Sequence, residues 1–242
     1  MFLGLDSTPA MEHLLKLVDD IVRVSMVEGT DHDYGHVQRV FHIATILAKK
    51  ENADLELVQV GALLHDIGRV IGEPHGEVGA KRAGQILDGL GYPCERTARV
   101  ERIVRYHVFS GRGKLESLEE KIVWDADKVD GFGAIGIARM YYMLGRRNLP
   151  FADLSWDEKH VAPTFDLLNT GTAKRLAGER FNFMIRFRSV LERELALADL
   201  SVADEYPSVR DMERRRPKLD TSAGTEIRGM RDERQTRIPG LK

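Results

Sequence analysis

Apolar residues recur at intervals of three and four along almost the whole chain, and no run of strands alternates with those segments. A period near 3.6 puts one apolar stripe on a helix, whereas half-buried strands need a period of two. The stretch PAMEHLLKLVDDIVRVSMV has this spacing, and GHVQRVFHIATILAKK brings Val37, Val40, Phe41, Ala44 and Leu47 to one face. Further helices are expected in LELVQVGALLHD, GEVGAKRAGQILDGL, ERTARVERIVRYHV, LEEKIVWDADKV, IGIARMYYMLGRR and GTAKRLAGERFNFMIRFRSVLERELALADL. Turn chemistry separates them in EGTDHD, IGEPHG, LGYPCE, FSGRGK and RRNLPFADLS. The expectation is an all-α helical bundle over residues 1–202. From about Ser201 onward Arg, Asp, Glu, Pro and Gly dominate and apolar residues stand alone, so residues 203–242 read as a polar, disordered tail. No internal repeat interrupts this pattern.

The chain has 242 residues, of which 43% are hydrophobic, enough for a well-buried core. Thirty-six Lys and Arg against 38 Asp and Glu leave a formal charge of −2, which gives no strong nucleic-acid signal. The single Cys94 excludes an internal disulfide and a cysteine-rich zinc framework, and fits a reducing cytosol. The start, MFLGLDSTPAMEHLL, lacks a basic region ahead of its apolar run, and no apolar stretch approaches membrane length. A cytoplasmic protein without membrane attachment is expected, with homo-oligomerisation left open.

Within GALLHDIGRV, an apolar helix carries His65 and Asp66 side by side at its end, just before Gly68, a plausible stop. A core helix has no evident use for such a pair. His36 lies early in the second helix, and Asp127 sits in WDADKVD after an apolar run. Two neutral imidazoles and two carboxylates form a mixed nitrogen and oxygen set suited to a divalent ion such as Mn, Fe, Co, Zn or Mg. Adjacent helical side chains diverge by about 100°, so His65 and Asp66 can share an ion only if it lies beside the helix and other helices bring the remaining ligands.

Two further patterns carry less. HDYGH places His32 and His36 four apart with an acid between them, like a zinc-protease helix, but the acid is Asp, Gly35 weakens the helix and no third ligand is specified. GFGAIG, from Gly131 to Gly136, matches a dinucleotide-binding glycine pattern without the surrounding βαβ alternation, so these glycines are read as permitting close helix packing.

Taken in order, HDYGHVQRV, GALLHDIGR and WDADKVD resemble the HD-domain metal-dependent phosphohydrolase superfamily. The resemblance spans about residues 10–200, including HGEVGAKRAGQIL, IVRYHVFSG and DADKVDGFGAIGIAR, and is similar to the small bacterial HD hydrolases, some of which cleave nucleoside triphosphates. It implies an HD-type helical bundle in which His36, His65, Asp66 and Asp127 bind a divalent ion, manganese preferred. It also implies a phosphorylated small-molecule substrate, with nucleotides favoured. One departure stands out. Many such members carry a second acidic residue after the His-Asp pair, whereas HDIGRVIG has Arg69 there, a form resembling phosphodiesterase branches.

His75 and His107 follow in the order that two-metal branches use for a second ion, and one-metal members can turn such side chains to phosphate. Phosphate charge also calls for cations, and Arg39, Arg69, Lys128 and Arg139 lie in or beside the motifs. Arg39 and Lys128 are the leading candidates for that contact. Beside Asp66 and Lys128, Asp130 is the third candidate for a catalytic role, as an orienter or general base, although capping the following helix would serve equally. Triphosphate pyrophosphohydrolase, monophosphatase and cyclic or linear phosphodiesterase stay open, as does a non-catalytic nucleotide-binding regulatory module.

Overall fold

The structure is a computed structural model that describes residues 9–26, 32–150 and 161–198. The expected tail, residues 203–242, and parts of the EGTDHD and RRNLPFADLS turns lie outside the described residues. Among those described there is no strand, as the apolar spacing predicts. The order is α1 (Pro9–Ser25), α2 (Tyr34–Glu51), α3 (Leu55–Leu64), α4 (His75–Gly89), α5 (Cys94–Tyr106), a 3-10 helix (Phe109–Lys114), α6 (Leu118–Asp130), α7 (Gly133–Arg146), α8 (Ala162–Leu167) and α9 (Gly171–Leu195). Contacts divide the chain into one unit through Leu191 and a second from Glu192, and every candidate site residue lies in the first.

Helix α3 is the centre of the bundle. Every residue from Leu57 to Leu64 is buried, and α1, α2, α5 and α6 pack around it. A helix apolar on all sides is stable only when enclosed in this way. Fully burying Leu57, Leu63 or Leu64 contributes about 1.5–3 kcal/mol each. Around α3 the other helices are amphipathic, and their buried residues are those that recur at three and four: Val37, Val40, Phe41, Ala44 and Leu47 in α2, and Val100, Ile103 and Val104 in α5.

Three local devices aim chain ends at one place. Asp33 caps α2, its side chain accepting from the His36 backbone N–H at 3.0 Å. Helix α3 stops at Leu64, and residues 65–71 form a tight turn in which Ile67 N–H donates to Leu64 O and Arg69 N–H to Asp66 O. Gly68 lets this turn lie against α4: a Cβ there would stand 2.0 Å from His75 O and 2.7 Å from Gly79 N. Helix α6 begins at the Ser117 cap and carries WDADKVD at its other end. On α6, buried Asp125 accepts from both the backbone and the side chains of Asn169 and Thr170, tying the start of α9 to it.

Two elements differ from the sequence expectation. FSGRGK, expected as a plain turn, winds into the 3-10 helix, and α8 was not expected at all. Six residues with none buried give α8 no periodicity to read. The GFGAIG glycines do serve close packing: a Cβ on Gly136 would meet Gly131 O at 1.9 Å where α6 turns into α7. No described helix is long and apolar enough to cross a membrane.

Candidate active site

Four side chains expected to share an ion converge from three places in the fold. His36 comes from the first turn of α2, His65 and Asp66 from the end of α3, and Asp127 from the last turns of α6. His36 Nε2 lies 3.3 Å from Asp127 Oδ1, 3.7 Å from Asp66 Oδ2 and 3.3 Å from His65 Nε2, and His65 Nε2 is 3.7 Å from Asp66 Oδ2. His36, His65 and Asp66 are buried, and Asp127 is nearly so, with its side chain 10% exposed.

The far side of each ring shows what these atoms are prepared for. His65 Nδ1 donates to Ala62 O at 2.7 Å, and His36 Nδ1 donates to Asp130 Oδ2 at 2.8 Å. With Nδ1 protonated in both neutral rings, the two Nε2 lone pairs face each other and two carboxylates. In that state neither ring can donate to the other, and a cation between the donors, whether a metal ion or a proton on His36, relieves the arrangement. Donors bound to one ion at about 2.0–2.2 Å stand roughly 3.0–3.4 Å apart, close to the spacing here. The residues therefore fit a divalent ion, with Asp130 and the Ala62 carbonyl fixing the rings as outer partners of metal-bound histidines do.

Electrostatics agree with this geometry. Burial pushes the His65 imidazole down to about 3, so it is neutral and can ligate. Burial acts against charge on His36 too, but hydrogen bonds to Asp127 and Asp130 outweigh it and raise its pKa; a proton can then take the cation's place. Burial alone would raise the Asp66 carboxyl, yet His65, His107 and His32 hold it well below the carboxylate range. Asp127 is likewise held down against burial, chiefly by Lys128 and His36.

A second group surrounds the other oxygen of Asp66. Oδ1 lies 2.8 Å from Arg69 Nε, 3.2 Å from His107 Nε2 and 3.9 Å from His75 Nε2. His107 Nδ1 donates to Val104 O at 2.7 Å, and His75 Nδ1 donates to Glu73 at 3.0 Å. Asp66, His75 and His107 thus form a second set able to hold a metal. His32, which the sequence reading connected only with a protease-like pattern, stands with its Nδ1 2.8 Å from Asp66 Oδ2. His32, His36 and Asp66 form a further possible set.

The cluster opens onto a cavity of about 340 Å³. His32, Arg69, His75, His107, Asp127, Lys128 and Arg139 line its polar part, while Phe109, Phe132, Met140 and Met143 supply apolar wall. Lys128 is held at the rim by Asp127 and the His107 carbonyl, with its ammonium 4.6 Å from the Phe109 ring centre. Arg39 is not among the lining residues. Its Nε and Nη2 donate to Asp130 at 2.7 and 3.1 Å, and Arg139 Nη1 donates to the same carboxylate at 2.8 Å. Asp130 is fully buried among these donors, and the hydrogen bonds of His36 and Arg39 bring it down to about 2 against the effect of burial. Asp130 is thus hydrogen-bonded to His36, Arg39 and Arg139 and is not among the residues that line the cavity.

The comparisons agree with this architecture. The HD domain model matches residues 33–131. YpgQ of Bacillus subtilis (strain 168) is 36% identical over 180 residues, covering 69% of this chain and 86% of YpgQ. The crystal structure of Bacillus subtilis YpgQ in complex with ADP superposes with a TM-score of 0.64 at 29% identity, covering 74% of this chain and 97% of that one. An HD-superfamily hydrolase from Bacillus thuringiensis gives a TM-score of 0.64 at 26% identity, over 77% and 98% of the two chains. With the ordered His, His-Asp and Asp segments folded onto one buried cluster, the chain belongs to the HD-domain phosphohydrolase superfamily.

Proposed function

We propose that this protein is a metal-dependent phosphohydrolase that acts on nucleotides and cleaves a nucleoside triphosphate at the α-phosphorus, releasing monophosphate and pyrophosphate. The observation that carries the reading is the four-donor cluster itself, with the Nε2 atoms of His36 and His65 facing each other and the Asp66 and Asp127 carboxylates. His36, His65, Asp66 and Asp127 would hold the ion, manganese first among Mn, Fe, Co, Zn and Mg. A bound ion supplies Lewis acidity toward a phosphoryl oxygen and a water of lowered pKa. Around it the chain provides positive charge: Lys128 and Arg69 at the cavity wall offset charge that builds on the phosphoryl oxygens, and Arg139 stands beside them. Phe109, Met140 and Met143 offer apolar surface for a base. The ADP in the YpgQ crystal structure supports a nucleotide ligand.

A second reading rests on one observation, the Asp66, His75 and His107 set, which would suit a second ion and a phosphodiester. A purely regulatory module has no comparable support, because binding alone does not need four intact metal donors.

Products separate the readings. The metal-loaded protein, incubated with a deoxynucleoside triphosphate and Mn and analysed by ion exchange, should give pyrophosphate. Stepwise orthophosphate would indicate a phosphatase, and cleavage of a diester without turnover of any triphosphate would overturn the first choice. Chelation should abolish hydrolysis, and Asp66→Ala should lose bound ion and activity together. Full activity in that variant without an ion would sink the metal assignment.

A further inference from the structure

Asp66 presents its two oxygens to different neighbourhoods. Oδ2 faces the Nε2 atoms of His36 and His65, each at 3.7 Å. Oδ1 faces His107 and His75, and the group nearest to it is the Arg69 guanidinium, at 2.8 Å. Arg69 is positioned by the chain itself, three residues after Asp66 in the same turn, with its backbone N–H on Asp66 O at 3.0 Å. Its side chain is 31% exposed and lines the cavity.

We propose that Arg69 stands in for a second metal ion, its guanidinium occupying the Asp66 oxygen that His75 and His107 would otherwise share with an ion, so that the site holds one ion. The inference rests on the reading that His36, His65, Asp66 and Asp127 bind a divalent cation. The donors of His107 and His75 are preserved, with both Nδ1 atoms tied to acceptors and both Nε2 atoms aimed at Oδ1. What a second ion meets there is a permanent positive charge at hydrogen-bond distance from the oxygen it needs. Arginine keeps that charge at every accessible pH. A dication placed beside it, against the same buried Asp66 oxygen, would suffer like-charge repulsion.

The substitution has a chemical consequence. A guanidinium offers charge and planar N–H donors to a phosphoryl oxygen, as a second ion would, but it cannot coordinate and acidify a water. Ion number and the class of bond cleaved are thereby linked through one residue. Arg69 is a specificity-determining residue on this account.

The test is a count of ions and their coupling, made on full-length protein without reference to turnover. Equilibrium dialysis against millimolar Mn(II) with elemental analysis should give one ion per wild-type chain, with the electron paramagnetic resonance spectrum of an isolated Mn(II). Arg69→Gln should bind two, with a spin-coupled spectrum, and adding His107→Ala should return it to one. Arg69→Lys, which keeps the charge, should hold one. Two coupled ions in wild type, or one ion in an Arg69→Gln protein of native circular dichroism, would overturn the proposal while leaving the hydrolase reading intact. Should Arg69→Gln fail to fold, Arg69→Met, which also removes the charge, is counted in its place, and one ion in that folded variant would equally overturn the proposal. No ion in wild type would remove both.

Discussion

Replacing Asp130 with Asn tests whether this buried carboxylate fixes the metal-binding face of His36. Asp130 accepts from His36 Nδ1 at 2.8 Å, from Arg39 at 2.7 and 3.1 Å and from Arg139 at 2.8 Å. Asparagine keeps the shape but has one acceptor oxygen, and its NH₂ group must face an imidazole or guanidinium N–H, donor against donor. Hydrogen bonds to charged groups contribute about 1.5–3 kcal/mol each, but those from partly exposed arginines count for much less, so about 3 kcal/mol in total is expected. The same hydrogen bonds from His36 and Arg39 bring the carboxyl down to about 2 against the effect of burial, so the sign of the effect is the same. For a chain of this size a loss of about 3 kcal/mol lowers Tm by roughly 6–12 °C. Freed from its partner, the His36 ring should also bind the ion about 10–100-fold more weakly. Thermal unfolding by circular dichroism gives the first quantity and calorimetric Mn titration the second. A variant with unchanged Tm and unchanged Mn affinity would refute the clamp.

Other expectations follow from single contacts. Gly68→Ala puts a methyl group 2.0 Å from the His75 carbonyl, so α4 must move; a loss of about 3 kcal/mol or more by denaturant unfolding is expected, and native stability would contradict the packing. Asp54→Ala removes the α3 cap and the two-pronged bond from Arg96, costing about 1–2 kcal/mol. Although burial opposes it, Arg96 keeps the Asp54 pKa below its usual 3.8, so this stability is complete above pH 3.8 and lost as pH falls through the lower folded value; the Tm gap between wild type and variant should close in that window. Lys128→Ala should cost turnover more than binding, about 10²-fold in kcat, and a change confined to KM would place Lys128 in ground-state binding instead.

Much of the fold was legible because helices announce themselves locally. Each main helix lies within a residue or two of its apolar spacing except α9, which stops at Leu195, well short of the apolar pattern; α3 ends at Leu64, just before His65 and Asp66. In α3 the reason is Gly68: the turn must bend early enough to lay its backbone against His75 and Gly79, a contact with no local signature. The 3-10 helix and α8 were missed for the opposite reason. Each has six residues, too few to complete a second apolar turn.

In the site, the legible part was donor chemistry and the illegible part was its support. An apolar helix that ends in His-Asp poses a question the sequence can answer, because burying an imidazole and a carboxylate without partners is costly. The roles of the outer residues depend on distance along the chain. Asp130 reaches His36 across 94 positions and His32 reaches Asp66 across 34, and nothing in the spacing of DKVDG or TDHDY specifies either pairing. Arg39 shows the limit most clearly. Beside His36 in the sequence it reads as a phosphate ligand, yet a helix carries residues three apart along one face, so the same turn that aims His36 at Asp130 brings Arg39 to the same carboxylate. Arg39 donates to Asp130 and His36 donates to the same carboxylate, so the guanidinium stands two contacts away from the ring nitrogen that faces Asp127.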